Sequence, residues 1–78
     1  MIEKLAENKF FLKKGGHSMT LERVQPVGFD SPVWSMTTHN AAVRAYNRGF
    51  AIPKYFDSLH SVEKSYKSWS GIVQLASI

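Results

Sequence analysis

The sequence predicts an α+β domain in which a short antiparallel sheet of three strands packs against one C-terminal helix, Ser58–Ser70. Apolar residues at helical spacing near the C-terminus indicate the helix, and alternating apolar and polar residues before it indicate the strands. The length of 78 residues leaves room for one such domain. Hydrophobic residues make up 44% of the chain and aromatic residues 13%, which is enough for a folded core.

Residues 1–18 are predicted to lie outside this domain, as a short N-terminal helix followed by a flexible, basic linker. Ile2 and Leu5 begin a helical spacing, and the linker 13–18 contains two adjacent glycines. The single small α+β domain is then expected to span residues 19–78.

The same N-terminal residues admit a second interpretation at the level of the gene. Codons for Lys13–Gly16 can spell a purine-rich bacterial ribosome-binding sequence, and Met19 follows at a workable distance. The hypothesis is that translation begins at Met19 and that residues 1–18 are leader sequence. The alternative is a plain linker before an internal methionine. Under both interpretations, residues 1–18 are expected to be dispensable for folding.

The strands are predicted from local alternation and from turn residues. Residues 20–27 form a weak strand, which Pro26 confines to an edge or an end because proline cannot donate to a sheet. A turn follows over Gly28–Pro32, where glycine and the run Asp-Ser-Pro indicate a reversal. Val33–Thr38 has the clearest alternation and is the best strand.

Residues 38–49 permit two interpretations, a helix or a β-hairpin. The hairpin would make strands of residues 41–47 and 50–56. It is favoured because three strands give the C-terminal helix a surface to cover. Pro53 fits an edge strand and no central one, since it has no N–H to donate.

The C-terminal helix carries the most regular pattern in the chain. Asp57 or Ser58 can cap its first turn through a side-chain oxygen, and Gly71 stands where a left-handed residue would end it. The residues expected in the core are Leu59, Val62, Tyr66, Trp69 and either Ile72 or Val73 from the helix, and Trp34 and Phe56 from the sheet. The apolar tail 73–78 is expected to add a strand or to pack on the sheet.

The composition excludes several classes of function. The chain has no cysteine, which rules out disulfides and thiolate metal sites, and its three histidines stand far apart. Ser61 and Lys64 match a hydrolase spacing, but the companion motifs of that class are missing. No apolar run approaches the ~20 residues of a membrane helix. We therefore expect a cytoplasmic protein that is not an enzyme, holds no metal or cofactor and has no membrane partner.

The net charge of +4 favours a nucleic-acid partner, although half of it comes from residues 1–18, which hold four lysines and two glutamates. If the hairpin forms, Arg44, Tyr46 and Arg48 share one face, because alternate residues of a strand point the same way. With Lys54 they would form an exposed basic and aromatic stripe, which suits phosphate contacts and base stacking. The alternative is an ordinary solvated strand face.

The order of strands and helix also carries a resemblance to a known class of module. It covers roughly residues 33–70 and rests on Tyr55, Phe56, Ser58, Leu59, Val62 and Tyr66. This layout resembles the arm-binding domains of phage integrases and the plant AP2 domains, in which a three-stranded sheet packs on a helix. The resemblance implies a DNA partner and assigns no site residue.

The alternative partner is a host protein. Small phage and plasmid inhibitor proteins, including anti-CRISPRs, share this size and layout, so architecture does not choose between the two classes. In this interpretation the apolar residues Phe50, Ile52 and Tyr55 contact the partner at the sheet edge. Nucleic-acid binding is the first hypothesis, and inhibition or modulation of a host protein by a phage- or plasmid-type protein is the second.

Overall fold

The computed structural model describes residues 2–15, 17–39 and 53–78. These residues form an α+β fold with one antiparallel sheet and a C-terminal helical segment packed on one of its faces. The strands, which lie side by side in chain order, are β1 (Ile2–Ala6), β2 (Lys9–Lys14), β3 (His17–Val24), β4 (Val33–Thr38) and β5 (Lys54–Phe56). The helical segment consists of α1 (Leu59–Ser65), a 3-10 turn (Lys67–Trp69) and α2 (Ile72–Ala76). The predicted class is confirmed, whereas the predicted count of three strands and one helix is wrong.

Strands occupy the region in which the sequence predicts a helix and a linker, and that prediction is wrong. β1 and β2 are joined through Glu7 and Asn8, and Gly15, with a left-handed φ of +60°, lies between β2 and β3. Phe10 and Leu12 of β2 are 0% and 2% exposed. Both belong to the same core cluster as side chains of α1 and α2.

The helical spacing at the N-terminus gives a wrong prediction because β1 has a lysine, Lys4, on the face of the sheet that carries the core. Ile2 pairs with Leu12, and Lys4 pairs with Phe10, so Ile2 and Lys4 point to the same face of the sheet as the core. A charged residue at that position hides the two-residue alternation of the strand. Whether residues 1–18 are dispensable stays a prediction, which a truncation can test.

β3 has the same length as the weak strand predicted over residues 20–27, but it begins three residues earlier and lies inside the described sheet rather than at an edge. It begins at His17 and pairs with β2 on one side and β4 on the other. Pro26 follows the end of this strand and so does not limit its pairing. The chain reverses between β3 and β4, as predicted, but the hydrogen-bonded turn begins before the predicted Gly28–Pro32: the Phe29 N–H donates to the Pro26 carbonyl at 3.1 Å, and Gly28 has a φ of +90°. That combination is typical of a type II turn.

β4 has the predicted bounds, Val33–Thr38. β5 coincides with the last part of the strand predicted over residues 50–56, and it directly follows Pro53 at one edge of the described sheet. Within the described sheet, β5 thus has the edge position that the proline predicts. The choice between helix and hairpin for residues 38–49 falls on residues 40–52, which lie outside the described residues.

The predicted helix 58–70 begins where expected but is interrupted. Ser58 caps it, because its Oγ accepts a hydrogen bond from the Ser61 N–H at 3.2 Å. At Tyr66 the backbone becomes extended, with φ −135° and ψ 114°, and the 3-10 turn follows. Gly71 then takes the predicted left-handed conformation at φ +91°, and α2 starts after it.

The interruption follows from the residues around it and from the core that it completes. Serines recur at and after the end of α1, and serine is weak in helix interiors because its hydroxyl competes for backbone groups. With the break, Trp69 and Ile72 both become fully buried. The Gly71 N–H donates to a carboxylate oxygen of Glu63 at 2.6 Å, which ties the start of α2 to α1.

The core lies between the helical segment and one face of the sheet, defined as the inner face. Its buried members are Phe10, Leu12, Leu21, Trp34, Met36, Val62, Trp69 and Ile72. The predicted core residues are confirmed, with Phe56, Leu59 and Tyr66 only partly buried at its margin. Of the two states predicted for the C-terminal tail, packing on the core is the correct one, through Val73 and Leu75.

Candidate functional site

The strand residues that alternate with the core residues point to the second face of the sheet, defined as the outer face. Strand pairing aligns them in rows, of which one runs Lys9, Glu22, Ser35, Tyr55 and the next runs Glu3, Phe11, Thr20, Thr37. None of these side chains belongs to the core cluster. The outer face is therefore the face of the described sheet that lies away from the core.

Two aromatic rings stand exposed together at one corner of the outer face. Tyr55 of β5 is 44% exposed, and Phe29, from the loop between β3 and β4, is 40% exposed. Their ring centroids lie 5.2 Å apart with an angle of 65° between the planes, which is an edge-to-face contact. Val27, at the tip of the same loop, is fully exposed. We define Val27, Phe29 and Tyr55 as the aromatic corner.

The loop that carries Phe29 is held in place by local hydrogen bonds. The side chain of Gln25 donates from Nε2 to the Phe29 carbonyl at 3.1 Å, in addition to the turn hydrogen bond to Pro26. Val33 lies on the outer face opposite Val24, and it is 8% exposed although it is not part of the core cluster. The outer face is therefore buried at Val33, and hydrogen bonds hold the backbone of the loop that carries Phe29.

Lys54 and Tyr55, neighbours in the chain, lie on opposite faces of the sheet. Lys54 pairs with Met36 and so points to the inner side. Its ammonium donates to the Tyr66 hydroxyl at 2.9 Å and lies 5.6 Å from the centroid of the Tyr66 ring. The lysine thus contacts the margin of the core, and its role in nucleic-acid binding stays a prediction.

The remaining predicted site residues lie outside the described residues. These are Arg44, Tyr46 and Arg48 of the predicted basic stripe, and Phe50 and Ile52 of the predicted partner-binding edge. The structure therefore places two of the predicted site residues, Lys54 and Tyr55, and does not bring them together.

Two members of the aromatic corner are missed by sequence reasoning. Val27 and Phe29 flank a glycine in a segment that reads as a turn, and turn residues are normally polar. The sequence feature that could have identified them is the presence of two large apolar residues in a turn. No local pattern shows that the ring of Phe29 meets Tyr55, because the contact depends on the pairing of β4 with β5.

The charges that the described strands place on the outer face cancel. Lys9 and Glu22 lie on neighbouring strands with 3.8 Å between Nζ and Oε2. Glu3 and Lys13 add one further charge of each sign. Asp30, in the loop of the aromatic corner, is exposed and adds a negative charge. This face lacks the excess of positive charge that supplies most of the affinity for nucleic acid.

A polar contact on the outer face joins Thr20 to His39. The Thr20 hydroxyl and His39 Nε2 lie 2.8 Å apart, and the His39 N–H donates to the Ser18 carbonyl at 2.8 Å. Among the described residues no carboxylate bonds to this imidazole. These two hydrogen bonds connect His39, which follows β4, to β3.

Metal sites and membrane-spanning helices are both absent from the ranges that the structure describes. These ranges contain no group of three or more His, Cys, Asp or Glu side chains able to hold a metal ion. They also contain no helix with the length and apolar character needed to cross a membrane.

The chain matches no protein-family model, no curated protein and no solved structure. The resemblance to small DNA-binding modules has no match of this kind behind it, and the five strands of the described sheet depart from the three-stranded layout that it implies. Function has to be inferred from the surface of the molecule.

Proposed function

We propose that the protein is a small, non-enzymatic module that binds a host protein through the aromatic corner and the adjacent edge of β5. The observation that carries the proposal is the Phe29–Tyr55 pair, whose rings touch and yet remain 40% and 44% exposed. Tyrosine is enriched among the residues that dominate binding energy at protein interfaces, and buried aromatic anchors are typical of such sites.

A second aromatic pair in the molecule shows what full burial of such a contact looks like. Phe10 and Trp34 have ring centroids 6.0 Å apart and are 0% and 7% exposed. Phe29 and Tyr55 have a comparable contact but keep a large part of their surface in water. That retained surface supports the assignment of the corner to a partner.

The edge of the sheet adds backbone groups to the same surface. β5 is an outermost strand of the described sheet, and no described strand pairs with its outer edge. Free N–H and C=O groups at such an edge can pair with an extended segment of another protein. Tyr55 is the central residue of β5, so a partner strand added here would lie beside the corner. Participation of Phe50 and Ile52 stays a prediction.

Charge favours a protein over a nucleic acid on this surface. The strand charges of the outer face sum to zero, and Asp30 adds a negative charge beside Phe29. A phosphate backbone would meet no cluster of cations there, whereas an apolar protein surface needs none. A phage- or plasmid-type origin and a cytoplasmic location are part of the proposal.

Nucleic-acid binding is the second candidate, and it rests on the composition of residues 40–52. This stretch contains Arg44 and Arg48 and no acidic residue, so it supplies +2 of the net charge of +4. Tyr46 lies between the arginines, and Lys54 follows the stretch. Arginines with an interleaved tyrosine suit phosphate contacts combined with base stacking.

The first candidate is tested by comparing the double variant Phe29→Ala/Tyr55→Ala with the wild-type chain. Both are used to capture proteins from a lysate of the source cells, and the Kd of the purified captured protein is measured. We expect the double variant to raise Kd at least about 30-fold, since one strong interface residue contributes about 2 kcal/mol. Leu5→Ala is the matched control, because Leu5 is 54% exposed and lies on the opposite edge strand. Equal affinity of wild type and double variant would contradict the proposal.

The second candidate is tested by fluorescence anisotropy with duplex and single-stranded DNA at low and physiological salt. Phosphate contacts predict a log–log salt slope of about −3 or steeper and a loss of affinity in Arg44→Ala/Arg48→Ala. The absence of binding tighter than ~100 μM at low salt would exclude nucleic acid, because non-specific binders are normally tighter than this.

A further inference from the structure

The outer edge of β1 is the longer of the two free edges of the described sheet. β1 has five residues, of which all but Ile2 are exposed, and no described strand pairs with it on the side away from β2. An open edge of this kind exposes a row of N–H and C=O groups that can pair with the same edge of another copy. A monomeric protein therefore needs a feature that prevents this pairing.

We propose that Glu3, Lys4 and the irregular pairing after Lys4 close the β1 edge against a second copy of this chain. Two copies would pair antiparallel about a two-fold axis, so that residues of the same face stand opposite one another. A register centred on Glu3 sets Glu3 against Glu3 of the second copy. A register centred on Lys4 sets lysine against lysine. Like charges directly opposite each other destabilise a strand pair.

Registers centred further along β1 meet a different obstacle. The pairing of β1 with β2 shifts by one residue between Lys4 and Ala6, so Leu5 lies within a bulge or similar irregularity. Such a feature interrupts the regular row of backbone groups and bends the strand. A second copy centred on Leu5 would have to pair across it.

The position of the lysine charge is fixed by contacts within the chain. Lys4 points to the inner side of the sheet, where its cross-strand neighbour is the fully buried Phe10. Its ammonium donates to the carbonyl oxygen of Ile78 at 3.1 Å. A lysine that points inward from an edge strand is a known means of blocking strand addition. The tie to Ile78 keeps the charge at this edge.

The opposite edge is limited in another way. β5 has three residues against the five of β1, so it offers a shorter row of backbone groups, which is enough for a short partner segment but less than the β1 edge presents. The two edges thus differ: β5 is short, whereas β1 is long and carries opposed like charges. Self-association through a sheet edge is therefore best tested by removing the charges of β1.

The test is the double variant Glu3→Val/Lys4→Val, which removes one charge of each sign and leaves the net charge unchanged. Sedimentation equilibrium over a range of protein concentrations measures self-association, and hydrogen exchange locates it. We expect the wild type to stay monomeric, and the variant to form dimers with an association constant raised at least about tenfold. Outward-pointing N–H groups of β1 become protected in the dimer.

The matched control is Lys9→Val/Glu22→Val. It removes a lysine from β2 and a glutamate from β3, neither of which is an edge strand, and it adds the same amount of apolar surface. It should remain monomeric. Equal association of this control would show that added apolar surface is sufficient, and would overturn the proposal. A folded Glu3→Val/Lys4→Val variant that stays monomeric would overturn it as well, as would wild-type dimers with protected β1 edges.

A second experiment keeps the proposal testable if the double valine variant does not fold. The Glu3→Lys variant carries two positive charges on the β1 edge, and the Lys4→Glu variant carries two negative charges. Each should be monomeric alone, and a mixture of the two should form a heterodimer, because opposite charges then face each other in both registers. A mixture that behaves as the sum of its parts would contradict the electrostatic closure.

Discussion

The inner and outer faces of the sheet carry similar aromatic contacts with different surroundings. Phe10 and Trp34 meet on the inner face in a cluster with side chains of α1 and α2. Phe29 and Tyr55 meet on the outer face and remain exposed. A ring pair contributes about 0.5–1.5 kcal/mol beyond the area that it buries, so the burial makes the larger difference. Stability is therefore concentrated on the inner face, and the outer pair is free for another role.

The largest expected effect comes from removing residues 1–18, which would delete β1 and β2 together with one wall of the inner face. Phe10 and Leu12 are fully buried in that wall. We expect a 19–78 chain to show no cooperative thermal transition by circular dichroism, contrary to the expectation from sequence that residues 1–18 are dispensable. A transition like that of the full chain would instead show that residues 1–18 are dispensable for folding.

The next largest effect is expected at Trp69, the largest fully buried side chain. Trp69→Ala should lower the free energy of unfolding by about 3–5 kcal/mol through loss of burial and a residual cavity. Trp69→Phe should cost clearly less, because the indole N–H has no acceptor among the described residues and its removal breaks no hydrogen bond there. Urea denaturation measures both. Similar losses for the two variants would show that the indole N–H matters.

A smaller effect, equal on both faces, is expected from two glycines. Gly71 next to the inner face and Gly28 beside the aromatic corner have φ values of +91° and +90°, and a Cβ at either would meet no atom within 4 Å. Alanine at each position should therefore cost about 1–2 kcal/mol, from backbone strain alone. Denaturation curves that differ widely between the two variants would reveal a packing contribution at one of them.

The smallest effect on stability is expected in the aromatic corner. Phe29→Ala and Tyr55→Ala should each lower the free energy of unfolding by about 1 kcal/mol or less, with a coupling of about 0.5–1.5 kcal/mol in a double-mutant cycle. A loss of about 3 kcal/mol or more for either variant would place the corner in the core and remove the contrast between the two faces.

Features with a local cause are predictable from this sequence. Strand alternation defines β4, the Ser58 hydroxyl defines the start of α1, and Gly71 is identified as left-handed because glycine tolerates that conformation. The burial of Trp34 and Trp69 follows from the same periodic patterns. These signals act over a few residues and need no knowledge of the rest of the fold.

Features that depend on distant pairing are not predictable in the same way. The strand character of β1 is hidden by Lys4, whose place on the inner side is tolerated because its ammonium reaches the Ile78 carbonyl. Apolar residues keep their three- and four-residue spacing on both sides of Tyr66, so the periodicity predicts one unbroken helix. It gives no sign of the extended backbone at Tyr66. Phe29 joins the candidate site only through a ring contact with a distant strand.

We propose that the aromatic corner contacts a partner, whereas the packing of the inner face stabilises the fold. The most direct measurement places a photoreactive phenylalanine analogue at Val27, which is fully exposed at the tip of the corner, and cross-links in the source cells. We expect a distinct adduct with one protein, which is lost when Tyr55→Ala is added and is not obtained from the same probe at Leu5. An adduct that persists with Tyr55→Ala, or cells that yield none at Val27, would contradict the proposal.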